Sequence, residues 1–200
     1  MSKEHGGRII IFTSPSGAGK TTLVRHLLSK YKDRLGFSVS ATTRKRRNGE
    51  EDGVHYYFLS EEAFLEHIRN HKFIESEEVY PGLYYGTLHS EVDRLSELGK
   101  NLVLDIDVKG AQNVKNLYGD RVLSVFVKPP SPEILIERLK QRGTESEEEL
   151  NKRIERMQFE LSHEDYFDAI IVNDALEDAL KEAERLVEGF LGIRSEHTTF

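Results

Sequence analysis

Arg8-Ile9-Ile10-Ile11-Phe12-Thr13-Ser14-Pro15-Ser16-Gly17-Ala18-Gly19-Lys20-Thr21-Thr22 is the stretch from which the fold follows. Its first six residues form a β-branched, apolar run of the kind found in buried strands. The chain must then turn, and Leu23, Val24, Leu27, Leu28 and Tyr31 follow at helical spacing. A strand, a glycine-containing turn, Lys-Thr and a helix in that order make the setting of a phosphate-binding loop. Glycine lets the backbone approach a polyphosphate closely and supplies the unusual φ that such a loop needs. Successive N–H groups and the positive end of the helix then face the anion. Lys20 is placed to reach the β- and γ-phosphates, and the Thr21 hydroxyl to ligate Mg²⁺. Ser14 stands where the usual motif has its first glycine. The bland alternative, a glycine-rich strand-to-helix turn without a ligand, leaves the agreement of all three parts to chance.

Outward from this stretch, 200 residues suit one globular domain with insertions. Charged residues make up 32% and hydrophobic ones 38%, the balance of a charge-rich soluble chain. The net charge of −7 argues against a general nucleic-acid or anionic-membrane surface, so an anion site must be a local basic cluster. The absence of cysteine excludes disulfides and thiolate metal sites and fits a reducing compartment. Residues 1–7 are polar, and the apolar run after them is too short for a signal-peptide core or a spanning helix. A cytoplasmic location is the expectation. None of the eight histidines falls at metal-ligand spacing, and no internal repeat or interdomain linker is visible.

After the first helix, Phe37-Ser38-Val39-Ser40-Ala41 alternates like a strand. Arg44, Lys45, Arg46 and Arg47 follow it. Four adjacent cations repel one another, so they adopt a compact arrangement when an anion such as phosphate sits among them; taken alone the run reads as a solvated loop, and its neighbours favour the anion. His55-Tyr56-Tyr57-Phe58 and Tyr84-Tyr85-Gly86-Thr87 read as strands that can bring tyrosine hydroxyls to the same anion, or that simply place rings in a core. A helix over 61–70 is capped by Ser60 and is followed by Phe73-Ile74-Glu75. A carboxylate such as Glu75 can accept from both the ring N–H and the exocyclic amine of guanine, an edge that adenine lacks; the alternative is a solvated strand residue.

Leu102-Val103-Leu104-Asp105-Ile106-Asp107 is the next apolar run, ending in acids at the carboxyl edge of a parallel sheet, where ligands gather. Asp105 is the candidate carboxylate for the Mg²⁺ shell. Asp107, two residues on in the same run, is expected to face the same side. A strand over 122–127 leads through Pro129-Pro130-Ser131-Pro132 into a helix over 132–141. A break at Arg142-Gly143-Thr144-Glu145 follows, then a capping box at Ser146-Glu147-Glu148-Glu149 that opens a helix through 164. Arg138, Arg142, Arg153 and Arg156 flank this hinge, which suits a lid closing on phosphates; pairing with the many nearby glutamates is the rival reading. Ala169-Ile170-Ile171-Val172 is the last strand, 176–191 an amphipathic closing helix, and the tail from Gly192 reads as frayed.

Together these motifs resemble the guanylate kinase family of P-loop nucleoside monophosphate kinases. The resemblance runs from about residue 8 to about residue 191. It rests on Ser14 to Lys20, on Phe37-Ser38-Val39-Ser40-Ala41-Thr42-Thr43-Arg44 with Arg47 and Gly49-Glu50, and on Tyr56 and Phe73-Ile74-Glu75. Tyr85-Gly86-Thr87, Leu104-Asp105-Ile106-Asp107, Arg142-Gly143-Thr144-Glu145 and Val172-Asn173-Asp174 complete it. The resemblance implies a three-layer α/β P-loop NTPase fold with a central parallel sheet, a GMP-binding mixed α/β insertion at 37–93 and a helical lid at 137–156. The core would be 1–36, 94–136 and 157–191, and the flexible tail 192–200. It implies reversible transfer of the γ-phosphoryl group of Mg-ATP to GMP.

Carried onto this sequence, the resemblance gives ATP to Ser14, Pro15, Ser16, Gly17, Ala18, Gly19, Lys20, Thr21 and Thr22, with Asn173 and Asp174 beside the adenine. Ser40, Arg44, Arg47, Glu50, Tyr56 and Tyr85 would hold the GMP phosphate and its surroundings, and Glu75 and Thr87 would read guanine. Asp105 and Asp107 would lie near Mg²⁺ and the nucleotides, with Thr21 and Asp105 as metal ligands. Lys20, Arg47, Arg142 and Arg153 would be catalytic. Three departures stand out: Ser14 for glycine, Lys109 after Asp107 where the pattern has glutamine, and one extra residue within 76–84, which leaves the register of Tyr84 and Tyr85 open. Partners would be the two nucleotides, without nucleic acid or membrane, and the chain a monomer or homodimer. Two rivals remain: a related kinase acting on another phosphorylated acceptor such as a ribose bisphosphate, and a guanylate-kinase-like module that binds peptides without catalysis. Glu75 with Thr87 speaks against the first, and Lys20 with the lid arginines against the second.

Overall fold

The computed structural model describes residues 7–141 and 147–193, and of 138–141 and 147–149 the backbone alone. The expected capping box at 146–149 and frayed tail at 192–200 therefore each lie in part outside what is described. A five-stranded sheet has the order β2-β7-β1-β8-β9, where β1 is Ile9–Thr13, β2 Leu35–Phe37, β7 Asn101–Asp105, β8 Val122–Lys128 and β9 Ala169–Val172. β2 pairs with β7 and β8 with β9 in parallel. All five residues of β1 and six of the seven in β8 are buried, as continuous apolar strands of a parallel sheet require. The chain divides into two compact units, residues 1–9, 33–104 and 109–122 in one and 10–32, 105–108 and 123–200 in the other.

In the first unit a second sheet has the order β4-β3-β6-β5, with β3 at Ala41–Thr42, β4 at Tyr57–Phe58, β5 at Phe73–Tyr80 and β6 at Leu83–Leu88. Residues 37–41 are therefore not one strand. The chain leaves β2 after Phe37 and re-enters the other sheet at Ala41, and the alternation continues across a break at 38–40. β4 is likewise shorter than the aromatic run, because 53–55 form a turn. Helix α2, Glu61–Arg69, is capped by Ser60, whose hydroxyl accepts from Ala63 N at 3.1 Å. It lays Phe64 on the sheet, stacked on Phe73 at 4.4 Å and on Tyr84 at 5.3 Å between ring centres. Two helices absent from the sequence reading complete the unit, α3 at His89–Glu97 and α4 at Val108–Tyr118, the latter beginning one residue before the unit's boundary.

The second unit holds α1, Lys20–Lys30, with α5 at Pro132–Gln141, α6 at Glu147–Leu161 and α7 at Leu176–Leu191. Ala179, Ala183 and Val187 make the buried stripe of α7. Its polar flank meets α1, with Glu184 bridging His26 at 2.6 Å and Lys30 at 2.7 Å, and the Tyr31 hydroxyl donating to Glu188 at 2.6 Å. α6 stops at Leu161 rather than at 164. There the Ser162 hydroxyl donates to the Phe159 carbonyl at 2.8 Å, which occupies an acceptor at the helix end. Among the described residues no helix is long and apolar enough to cross a membrane.

Candidate functional site

In the second unit the loop from Ser14 to Gly19 joins β1 to α1. Gly17 and Gly19 hold φ of +94° and +92°, which side-chain-bearing residues rarely adopt, and Gly19 is the N-cap of α1. A Cβ at Gly19 would also collide with the Asn173 amide, which donates to the Ala18 carbonyl at 2.8 Å. Asn173, expected beside the adenine, thus also fastens the loop. Ala18 is fully buried against Leu135 and Met157, and Pro15 accepts from Ala18 N at 3.1 Å. Thr21 and Thr22 are exposed in the first turn of α1, and Asp174 is exposed after β9.

Lys20 is ion-paired with Asp105, the last residue of β7. The strand ends there, so the two-residue periodicity does not carry on to Asp107 as the sequence suggests. Ile106 leaves the ladder, its carbonyl accepting from the Thr13 hydroxyl at 2.9 Å. Asp107 lies 4.0 Å from Arg156 of α6, and Arg156 also donates to Glu160 at 3.2 Å. Burial pushes the Glu160 carboxyl above the usual range; Arg156 and Lys20 oppose the shift and Asp107 adds to it. Arg153 lies half-buried on α6, whereas Arg142 lies outside the described residues. Glu160 was not legible as part of this cluster; the signal is an acid four residues after Arg156 on one helix face.

In the first unit Glu50 organises the basic loop. Its carboxylate takes a two-pronged contact from Arg44, at 2.6 and 3.1 Å, and a third hydrogen bond from Arg47 N at 2.7 Å. These bonds hold the Glu50 carboxyl down to about 2. The Arg44 guanidinium also lies 5.3 Å from the Tyr56 ring centre and hydrogen-bonds Tyr85. Tyr56 meets Tyr85 edge-on at 6.0 Å. An anion among the cations is thus present, and it belongs to the chain. The Arg47 side chain is exposed, and Ser40 is half-buried in the break between β2 and β3.

Within 76–84 the register of β5 shifts, where Glu78 pairs with Tyr84 but Tyr80 already pairs with Leu83. This fixes the tyrosines. Tyr85 opposes Glu77 and Thr42 on the face of Arg44 and Tyr56, while Tyr84 packs under α2. Glu75 and Thr87 are direct cross-strand partners. Glu75 is buried, and among the described residues the fully buried Thr87 hydroxyl has no hydrogen-bond partner. A buried hydroxyl without a partner beside a buried carboxylate marks a place where a polar ligand can complete the bonding.

For a cation, Asp105 and the Thr21 hydroxyl are hard oxygen donors beside the phosphate loop, the donor set that Mg²⁺ takes when phosphates supply further ligands. Among the described residues no group of three or more His, Asp or Glu side chains could hold a metal by itself.

The family model for guanylate kinase matches residues 6–189. A guanylate kinase of Chlorobium chlorochromatii is 50% identical over 192 residues, 96% of this chain and all of the relative. One of Salinibacter ruber is 49% identical over 183 residues, 92% of this chain and 96% of the relative. Among solved structures, the crystal structure of guanylate kinase from Anaplasma phagocytophilum superposes with a TM-score of 0.69 at 29% identity, over 96% of this chain and 89% of that one. With this loop, this sheet and these relatives, the chain belongs to the guanylate kinase family and is a nucleoside monophosphate kinase.

Proposed function

We propose that the chain transfers the γ-phosphoryl group of ATP to GMP with Mg²⁺, reversibly, and that its own residues divide the work as follows. The loop of residues 14–22 holds the ATP phosphates, with Lys20 donating to their oxygens, and Asn173 and Asp174 border the adenine. Thr21 and Asp105 hold Mg²⁺, which when bound neutralises phosphate charge. Residues 37–93 take GMP: Ser40, Arg44, Arg47, Tyr56 and Tyr85 receive its phosphate, Glu50 keeps Arg44 in place, and Glu75 and Thr87 read guanine. Residues 137–156 act as the lid, from which Arg142 and Arg153 meet the transferring group, and Asp107 lies near the nucleotides.

The observation that carries this reading is the Glu75–Thr87 pair, buried side by side with the Thr87 hydroxyl unpartnered among the described residues. Guanine offers the ring N–H and amine that a carboxylate accepts and a carbonyl that a hydroxyl can meet. The GMP phosphate oxygen attacks the γ-phosphorus in line, the bond to the β,γ-bridging oxygen breaks, and ADP leaves. Catalysis is therefore positioning and charge neutralisation by Lys20 and the arginines.

The test is the initial rate of ADP formation from Mg-ATP with GMP, AMP, UMP and ribose 1,5-bisphosphate as separate acceptors. A strong GMP preference that Glu75→Gln weakens is expected, as is loss of turnover in folded Lys20→Ala. A preferred acceptor other than GMP would overturn the base readers. Near-normal turnover by Lys20→Ala would overturn the assignment of the loop.

A further inference from the structure

Outside the groups that touch nucleotide in this reading, one buried carboxylate receives more hydrogen bonds than a structural acid needs. Glu91 on α3 is 1% exposed. Its Oε2 accepts from Val39 N at 2.7 Å and from Arg94 at 2.8 Å. Its Oε1 accepts from the Tyr57 hydroxyl at 3.0 Å and from Arg94 Nε at 2.8 Å. Burial alone would push this carboxyl up, but the bonds from Arg94, Val39 and Tyr57 outweigh it and hold it below the usual range.

The location of these bonds matters more than their number. Residues 38–40 form the break between the two sheets, where the strand ladders do not hold every backbone group. Ser38 N reaches the Val103 carbonyl at 3.4 Å, and the Ser40 carbonyl accepts from Tyr57 N at 2.9 Å. Val39 N, between them, is held by Glu91. The same carboxylate grips the Tyr57 hydroxyl, so it is bonded to the neighbour of Ser40 and to the neighbour of Tyr56 at once. α3 is kept close to β2 by the absence of a side chain at Gly36, where a Cβ would run into Leu95, one turn beyond Glu91.

We infer that Glu91 is a positioning residue for GMP, fixing Ser40 through Val39 and Tyr56 through Tyr57. The inference rests on the reading that Ser40 and Tyr56 hold the GMP phosphate. Glu91 itself, inside the fold, touches no nucleotide. Its effect falls on acceptor binding and leaves ATP binding and the chemical step alone.

Glu91→Gln keeps the volume but leaves one acceptor oxygen, for either Val39 N or the Tyr57 hydroxyl, and it turns an amide N–H₂ toward the other of these and toward one of the Arg94 donors. The expected result is a rise of about tenfold in KM for GMP, the loss of roughly one hydrogen bond's positioning, with KM for ATP and kcat within about twofold of wild type. Tyr57→Phe removes one of the bonds without disturbing the ion pair, and a rise of about threefold in KM for GMP is expected. It decides the matter if Glu91→Gln does not fold. A purely structural role would instead lower the active fraction, and so kcat, with both KM values unchanged. Ser40→Ala is measured alongside. If Ser40→Ala raises KM for GMP while the folded Glu91 and Tyr57 variants do not, the positioning role is overturned and the GMP reading stands. If Ser40→Ala leaves KM for GMP unchanged, the reading of the phosphate site falls, and the positioning role with it.

Discussion

Glu50 shows how one side chain can organise a surface that composition describes as repulsive. Arg44, Lys45, Arg46 and Arg47 are adjacent in sequence, and a carboxylate three residues past the last of them accepts from the first side chain and from the backbone of the fourth. The need for an anion was legible in the run of cations, but its supply from within the chain was not, since a turn had to bring Glu50 back. A carboxyl at about 2 in the folded protein and 4.5 when free contributes stability that is complete above about 4.5 and is lost as the pH falls through about 2. We expect the Glu50 carboxyl carbon, followed by NMR, to titrate near 2. A midpoint near the free value of 4.5 would mean that Arg44 does not hold it.

At the scale of elements, boundaries with strong local signals matched the periodic pattern. α5, α7 and β9 begin and end where Pro132, the apolar stripe of α7 and the run Ala169-Ile170-Ile171-Val172 place them. β3 and β4 have two residues each and exist only through partners distant in sequence, so no local pattern could delimit them. α3 leaves no clear apolar pattern because Glu91 sits on its buried stripe beside Val92 and Leu95, where a hydrocarbon side chain is expected. Helix α2 offers a clean test of an element on its own terms. Ser60→Ala removes the hydroxyl that accepts from Ala63 N and should cost about 1 kcal/mol in urea unfolding, with the GMP-to-AMP rate ratio unchanged. A changed ratio would mean that the cap also sets the Phe64 stack beneath β5 and β6.

At the scale of the molecule, the division into two units was not legible because the chain passes between them five times, after residues 9, 32, 104, 108 and 122. Such crossings leave no linker for composition to reveal. The strand, glycine loop and helix of residues 9–30 were legible nearly residue by residue, since the glycines, Lys20 and the following helix are contiguous. The pairing of Glu75 with Thr87 depended on a bulge whose place only the folded sheet defines. Thr87 also bears on the whole protein. An unmet buried hydroxyl makes the ligand-free chain less stable than its own architecture allows, by about 1–3 kcal/mol on ordinary values. Thr87→Val should therefore raise the melting temperature of the free protein and shrink the further rise on adding GMP; an unchanged GMP-induced rise would mean that the hydroxyl does not meet the base. On the reading that Thr87 meets guanine, the free protein carries a local frustration at this hydroxyl that its substrate would relieve.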